Sequence, residues 1–279
     1  MRITMLVENT SSNPKVKPKH GLSVYIETGN HRVLFDAAWD DLFIRNAGAL
    51  EIDLKAVDTF VISHGHGDHG KGLRDFMEHN KTAKIYIRKS AFDPHFIEVI
   101  GVKVQIGLDC SLMDDSRIIF TDEVHRIDGE LLIFSDVTGK RLLSQSGNKL
   151  FAKKEGRMMR DDFSHEQNLL ISEDGNNVLL AGCAHSGIYN IVEAAQRHCD
   201  KLSVCVGGFH LFDPPTRKYE SKELIAELAE KLGETGARFY TCHCTGEKAY
   251  GIMREIMGDR VSYIRAGDSI EICKELKEG

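Results

Sequence analysis

The sequence of 279 residues has few prolines, a single tryptophan and no surplus of basic residues. Its 36 lysines and arginines are outnumbered by 42 aspartates and glutamates, and this balance argues against a protein that binds nucleic-acid phosphates non-specifically. No uninterrupted run of about 18 apolar residues is present, which excludes a membrane-spanning helix. The first residues also lack the apolar core of a signal peptide. We therefore expect a cytoplasmic protein with no membrane or nucleic-acid partner.

Cysteine is present, but not in a pattern that would cross-link the chain. The seven cysteines are an odd number without a repeated Cys-x-x-Cys spacing, which predicts reduced thiols rather than a disulfide framework. Tandem repeats and linker-like segments are also lacking. A chain of this length buries enough surface to fold without disulfides or a structural metal. We expect a single domain over residues 1–279, in which any bound metal is functional.

The two halves of the sequence differ in their pattern. The first half has short apolar runs separated by turn residues, and Thr28-Gly29-Asn30 predicts a hairpin between two of them. After residue 168, strand-like runs alternate with helical segments, whereas the signals between residues 91 and 160 are mixed and residues 156–166 are typical of a loop. This mixture predicts an α/β (α+β) fold with two stacked mixed sheets flanked by helices.

The most informative segment is SHGHGDHG at residues 63–70, directly after a strand-like run. Imidazole and carboxylate groups are donors that suit zinc, iron or manganese, and glycine lets the backbone turn tightly around an ion. In an extended turn, His64 and His66 share one side, so Asp68 and His69 can face a second metal position. A flexible histidine-rich loop is the structural alternative, but the residue types and their spacing favour a metal site.

Four later histidines lie next to predicted strands. His185, His210 and His243 follow apolar runs in the segments AGCAHSG, GGFHLF and TCHCTG, and His165 precedes a strand in DDFSHEQ. Side chains at the ends of neighbouring strands can converge in one crevice. These histidines are therefore candidates to complete a metal site with the first group.

The pattern H-x-H-x-D-H after a buried strand resembles the metallo-β-lactamase superfamily, and the resemblance covers most of the chain. It implies a four-layer αβ/βα sandwich with a dinuclear metal site at the edge between two sheets. The strings HGLSVYIE, SHGHGDHGKGL, SHEQ, GCAHSGI, GGFHL and CHCTG resemble the 7,8-dihydropterin-6-methyl-4-(β-D-ribofuranosyl)aminobenzene-5′-phosphate synthase-like branch. Two departures stand out. Asp36-Ala37-Ala38 replaces Asp-Thr-Gly, and no carboxylate is present at Gly182–His185, where many members have a metal-bridging one.

The resemblance implies two ligand sets, with His64, His66 and His185 on one metal and Asp68, His69 and His243 on the other. His165 could replace His185 or contact substrate, and Cys183 could contact the metal, although a small buried residue is the more ordinary interpretation of this cysteine. We expect Asp68 to orient the attacking water and accept its proton. His210 would act as the general acid or contact a substrate phosphate. Such a site would hold two divalent ions, most often zinc, with iron or manganese as alternatives.

The function that follows is a metal-dependent hydrolase acting on a small anionic phosphoester, cyclic phosphate or ester, which includes pterin-related phosphate synthase or phosphohydrolase chemistry. A divalent cation can lower the pKa of its bound water to about 7, and a pair can stabilise the attacking and leaving oxygens. Lysines 15, 17 and 19 with His20, or Arg157 with Arg160, could bind the anionic group. The alternatives are a non-haem di-iron redox protein, a nuclease and a metal-binding module without hydrolytic activity. A homo-oligomer is also compatible with the sequence.

Overall fold

The structure is a computed structural model that describes residues 1–273. In chain order, its first ten strands are β1 (Arg2–Val7), β2 (Ser23–Glu27), β3 (Arg32–Phe35), β4 (Thr59–Val61), β5 (Lys84–Ile87), β6 (His95–Val99), β7 (Val102–Gln105), β8 (Ile118–Phe120), β9 (Val124–Arg126) and β10 (Leu131–Phe134). The second half of the chain adds β11 (Leu150–Lys154), β12 (Arg157–Arg160), β13 (Asn168–Glu173), β14 (Asn176–Leu180), β15 (Val204–Gly207), β16 (Phe212–Asp213), β17 (Lys218–Tyr219), β18 (Arg238–Thr241), β19 (Val261–Tyr263) and β20 (Ser269–Glu271).

The helices are short and amphipathic. They are α1 (Leu42–Ala49), α2 (Gly67–Gly70), α3 (Leu73–His79), α4 (Ile188–Ala195), α5 (Lys222–Glu234) and α6 (Glu247–Met257). Helix α5 begins at Ser221, whose hydroxyl accepts a hydrogen bond from the Leu224 N–H group at 3.1 Å. Its buried residues lie on one stripe at helical spacing and face the core. Within the described part of the chain, no helix combines the length and apolar character that crossing a membrane requires.

Two seven-stranded mixed sheets form the centre of the fold. The first has the strand order β20-β1-β2-β3-β4-β5-β8 and becomes parallel from β3 onward. The second has the order β19-β18-β15-β14-β13-β10-β9 and is parallel between β14 and β19. Because carboxyl ends of parallel strands meet at one sheet edge, the loops after β4, β14, β15 and β18 can supply one site.

The sheets pack face to face, and helices cover their outer faces. Strand β3 shows the alternation, because Val33 and Phe35 lie in the core between the sheets while Leu34 lies in the outer core with α1 and α3. In the second sheet, Val178 of β14 faces inward and Leu179 packs toward the outer core that α4, α5 and α6 cover. The resulting order of layers is helix, sheet, sheet, helix. The fold class predicted from the sequence is confirmed.

Four strands from the region with mixed sequence signals form a separate antiparallel sheet, whereas β8, β9 and β10 of the same region belong to the central sheets. The strand order of the separate sheet is β12-β11-β6-β7, and we call this sheet the extension. Residues Arg157–Arg160 form the edge strand β12, so the expectation of a continuous loop over residues 156–166 was wrong there. All four of these residues are exposed, as are those of the opposite edge strand β7, so neither edge strand has a buried apolar face. That residues 1–279 form one domain stays a prediction.

Candidate metal centre

The histidine-rich segment forms the turn between β4 and α2, where the edges of the two sheets meet. Gly65 allows this turn to pack closely, because a Cβ at that position would lie 2.4 Å from the carbonyl oxygen of Ala91. His185, His210 and His243 follow β14, β15 and β18 in the other sheet. The structure therefore brings residues that are far apart in the sequence to one sheet edge.

The three histidines expected to hold the first metal surround a common point. The ring centroids of His64 and His66 are 4.7 Å apart, and each lies 4.9 Å from the ring of His185. Nε2 of His64, Nε2 of His66 and both ring nitrogens of His185 are buried without a hydrogen-bond partner among residues 1–273. Unpaired buried nitrogens are costly, and imidazole nitrogen is a preferred zinc ligand. The arrangement fits a metal ion.

The second expected set also converges. Nε2 of His69 lies 3.3 Å from Nε2 of His243, and the carboxylate of Asp68 lies 3.4 Å from the same His243 atom. Burial raises the pKa of Asp68, but the neighbouring His69, His20 and His243 outweigh it, so its pKa is held well below the usual value. Asp68 is therefore an ionised oxygen donor beside two imidazoles, which is a combination suited to a divalent cation.

Cys183 lies between these two sets. Its Sγ is 3.1 Å from Nε2 of His69. It lies within 4.8 Å of donor nitrogens of His64 and His185 on one side, and of His69 and His243 on the other. Burial, followed by the neighbouring Cys244 thiol, raises the pKa of Cys183 well above its usual value. Sequence reasoning treated this cysteine as secondary, whereas the structure places it among the expected metal ligands.

Asp36 orients two of the expected ligands. Its carboxylate accepts hydrogen bonds from the backbone and hydroxyl of Ser63, both at 2.7 Å, and from Nδ1 of His69 at 2.6 Å. The Ser63 hydroxyl has only one proton, so it accepts a hydrogen bond from Nδ1 of His64 at 2.8 Å. Both histidines then have Nδ1 protonated and Nε2 free to bind metal. In the sequence, Asp36 stood out only as part of a departure from the family pattern, and this role was not predicted.

Two residues of the SHEQ segment, Glu166 and Gln167, make hydrogen bonds to backbone groups next to the expected ligands. The carboxylate of Glu166 accepts hydrogen bonds from the backbone N–H groups of His185 and Ser186, at 2.6 and 2.8 Å. The side-chain amide of Gln167 donates to the carbonyl oxygens of Ile62 and Tyr86, at 2.8 and 3.0 Å. These contacts hold the end of the second sheet against the end of the first. Their position next to a histidine was the only signal in the sequence.

Both ring nitrogens of His165 make hydrogen bonds, and His165 is not among the residues that line the cavity described below. Its Nδ1 accepts a hydrogen bond from the Gly65 N–H group at 2.9 Å, and its Nε2 donates to Asp161 at 3.1 Å. Asp161 also accepts from Nδ1 of His95 at 3.1 Å and lies 3.7 Å from Nε2 of His66. Both nitrogens of His165 have partners within the described residues, and its expected roles as an alternative to His185 or as a substrate contact stay predictions. Asp161 and His95 are further residues that sequence reasoning did not identify.

A cavity of about 380 Å³ opens directly onto the expected ligands. Its lining includes His20, Trp39, His66, Asp68, Ile97, Ile106, Leu150, Cys183, His185, His210, Pro214, Pro215, His243 and Cys244. His210 has its ring 4.2 Å from that of His185, and neither of its nitrogens has a hydrogen-bond partner within the described chain. His210 therefore faces the space next to the first ligand set.

Of the basic residues proposed for anion binding, His20 lines this cavity, whereas the three lysines and two arginines do not. His20 lines the cavity, with Nε2 3.2 Å from the Asp68 carboxylate. None of the lining residues is a lysine or an arginine. Arg157 and Arg160 lie on the exposed strand β12. The lining therefore has no permanently cationic side chain, and a bound cation would be its main source of positive charge.

Two stacked mixed sheets with a histidine- and aspartate-rich edge define a class of metal-binding α/β proteins. The chain belongs to the metallo-beta-lactamase superfamily, whose family model matches residues 16–185. The resemblance stated from the sequence motifs is therefore confirmed. Proteins with this fold bind metal ions, as the zinc-bound PqqB from Methylobacterium extorquens does; that structure shares the fold with a TM-score of 0.55 at 13% identity, covering 98% of this chain and 100% of its own.

More similar proteins are also known. The 7,8-dihydropterin-6-methyl-4-(beta-D-ribofuranosyl)-aminobenzene-5'-phosphate synthase of Methanocaldococcus jannaschii is 25% identical over 285 residues, which cover 96% of this chain and 95% of that protein. An uncharacterised protein of the same organism is 28% identical over 250 residues, which cover 88% and 91%. The crystal structure of Tm1679, a metal-dependent hydrolase of the beta-lactamase superfamily, has a TM-score of 0.83 at 27% identity and covers 98% of this chain and 99% of its own.

Proposed function

We propose that this protein is a metal-dependent hydrolase that holds two divalent ions and acts on a small phosphoester, cyclic phosphate or ester. The observation that carries the proposal is the convergence of two donor sets at one cavity, with buried imidazole nitrogens that lack a hydrogen-bond partner within residues 1–273. The name of the structurally similar Tm1679 supports hydrolysis. Zinc is the ion that best matches this mixture of nitrogen, oxygen and sulfur donors.

In this proposal, the ligands are those expected from the sequence. His64, His66 and His185 hold one ion, and the other is held by Asp68, His69 and His243. Bound cations of this kind make water available as a nucleophile near neutral pH and stabilise the attacking and leaving oxygens. Asp68 remains ionised and lies at the cavity surface, so one of its oxygens can accept a proton from the attacking water.

His210 is the candidate for protonating the leaving group. Its ring nitrogens are free to donate, and its place beside His185 faces the same space. The role is distinct from metal binding, because His210 is not needed to complete either ligand set. An alternative role for the same position is a contact to an anionic oxygen of the substrate.

The cavity favours a substrate with one anionic group and an apolar or aromatic part. Imidazoles and Asp68 form the polar part of the lining, and Trp39, Ile97 and Leu150 add apolar surface to it. The absence of lysine and arginine from this lining argues against a highly charged substrate. The name of the related M. jannaschii synthase, which contains a dihydropterin, an aminobenzene ring and a phosphate, supports the same combination of groups.

The test combines metal analysis with a panel of aryl phosphomonoesters, phosphodiesters, cyclic phosphates and esters. We expect about two bound divalent ions per chain and hydrolysis of at least one class. His66→Ala and Asp68→Ala should abolish this hydrolysis, whereas His79→Ala, on helix α3 outside the cavity, should not. Absence of bound metal, or turnover unaffected by the first two substitutions, would contradict the proposal. Bound iron with a redox-dependent visible absorption and no hydrolysis would favour the redox alternative instead.

A further inference from the structure

Cys183 lies at the strand end where the family pattern would place a metal-bridging carboxylate. Many superfamily members are expected to have a metal-bridging carboxylate at this strand end, and this chain has Gly182-Cys183-Ala184-His185 there. We propose that the Cys183 thiolate bridges the two metal ions in place of that carboxylate. The inference rests on the proposed dinuclear metal site, and it assigns a ligand that neither set of histidines contains.

The geometry around the sulfur supports a shared ligand. Sγ of Cys183 lies 3.1 Å from Nε2 of His69, which belongs to the second ligand set. It also lies within 4.8 Å of ring nitrogens of both His64 and His185, which belong to the first. Cys183 thus has close donor neighbours from both sets, which is the placement that a shared ligand requires.

The backbone holds Cys183 in this place. A Cβ at Gly182 would lie 2.2 Å from the hydroxyl oxygen of Ser63, so only glycine allows this strand end to approach the histidine turn so closely. On the other side, Ala184 has a positive φ of 56°, and Glu166 holds the N–H group of the following residue. The thiol is therefore positioned by a constrained turn rather than by chance packing of a small side chain.

Cys244 is the other thiol at the cavity, but its contacts are different. It accepts a hydrogen bond from the backbone N–H group of His210 at 3.2 Å and lies 3.6 Å from the carbonyl oxygen of Cys183. The donor group that it forms with His210 and Cys183 contains no ligand of either set. Cys244 is therefore the natural comparison for Cys183.

The chemistry of the bridge requires no oxidant or reductant. When the ions bind, the Cys183 thiol loses its proton to solvent, and its sulfur forms one bond to each ion. A thiolate is a softer ligand than a carboxylate and favours zinc, cobalt or iron over magnesium or manganese. The substitution of sulfur for oxygen should therefore narrow the range of metals that this site retains.

X-ray absorption at the zinc edge of the wild-type protein loaded with two zinc ions tests the bridge directly. We expect an average of one sulfur neighbour per zinc at about 2.3 Å. Half a sulfur per zinc would mean that Cys183 binds only one ion, and no sulfur would mean that it binds neither. Either result would overturn the bridge. This measurement uses no variant, so it does not depend on whether a substituted protein folds.

Single substitutions then identify which cysteine supplies the sulfur ligand. Cys183→Asp should lose the sulfur signal and the near-ultraviolet thiolate-to-cobalt band of the cobalt-loaded protein, but keep two ions through a carboxylate. Cys244→Ser and the surface control Cys110→Ser should keep both signals, and loss of the signals in Cys244→Ser alone would overturn the assignment. The readouts need no substrate. A protein with the bridge but without hydrolysis would contradict only the proposed function, whereas a hydrolase with two ions and no sulfur ligand would contradict only the bridge.

Discussion

The buried histidines occupy two regions that differ in what their ring nitrogens contact. At the cavity, His64, His185 and His210 each have at least one buried nitrogen without a hydrogen-bond partner in the described chain. Behind the cavity, His165 uses both nitrogens, for Gly65 and Asp161, and His95 uses both, for Asp161 and Ser90. The same side chain is thus an available ligand in one region and part of the scaffold in the other. Hydrogen-bond partners, rather than residue type, distinguish the two roles.

Metal removal should change the cavity region most. We expect the chelated protein to be less stable than the zinc-loaded protein by about 4 kcal/mol for each bound ion when zinc is present at a thousandfold excess over its Kd. The physical reason is that the ions bind only the folded site and engage its unpaired nitrogens. Urea unfolding of the chelated and reloaded protein measures the difference. Equal stability would show that the cavity histidines are not metal ligands.

The two regions should also respond differently to the same substitution in metal-free protein. His165→Ala removes two hydrogen bonds and leaves the buried Gly65 N–H group without its partner, which should cost about 1–3 kcal/mol more than His185→Ala. The His185 ring makes no hydrogen bond within the described residues, so its loss should cost only packing. Chemical denaturation of both variants after chelation gives the comparison. A larger loss for His185→Ala would invalidate the division into two regions.

Asp161 connects the two regions, because it contacts the scaffold histidines and lies 3.7 Å from the expected ligand His66. Asp161→Asn should weaken metal binding by about 10–100-fold, the range for outer partners of a metal site, because its carboxylate holds His95 and His165 in place and lies beside Nε2 of His66, the nitrogen expected to bind the ion. The neighbouring Asp162, whose side chain is 58% exposed, provides the control Asp162→Asn. Competition with a chromophoric chelator measures both affinities. If the two variants bound metal equally well, Asp161 would not be a positioning residue.

His31, outside the metal-binding segment, represents a third environment, in which both ring nitrogens contact carboxylates. Its ring nitrogens lie 2.9 Å from Asp58 and 2.7 Å from Asp128. Burial lowers the pKa of His31, but the hydrogen bonds to the two carboxylates outweigh it and raise the pKa above the usual value. The stabilisation is therefore complete below about pH 6.5 and is lost as the pH rises through the raised pKa.

The pH dependence gives the smallest of these effects. We expect the difference in unfolding free energy between wild type and His31→Asn to be larger at about pH 6 than at about pH 9. Urea denaturation at the two pH values measures it, and His125→Asn, on strand β9, serves as a control. A difference that grew with pH would mean that the carboxylates do not stabilise a charged His31.

Much of the architecture could be predicted because its signals are local. Apolar strand runs, helical spacing and the cluster at His64–His69 gave the layered fold and the first candidate ligands. The extension was not predicted, since its two edge strands have only four residues each, all of them exposed, and RMMR in β12 has no apolar alternation. The scaffold residues were also missed, because their contacts span the sequence: Asp36 to His69, Asp161 to His95, and Glu166 to His185. Neither motif nor spacing shows which histidine nitrogens remain free.

The extension also contributes to the cavity. Strands β6 and β11 supply Ile97 and Leu150 to its lining, and Ile106 follows β7, whereas the expected metal ligands come from the two central sheets. Substitutions at these three positions can therefore reshape the apolar lining without replacing any expected metal ligand.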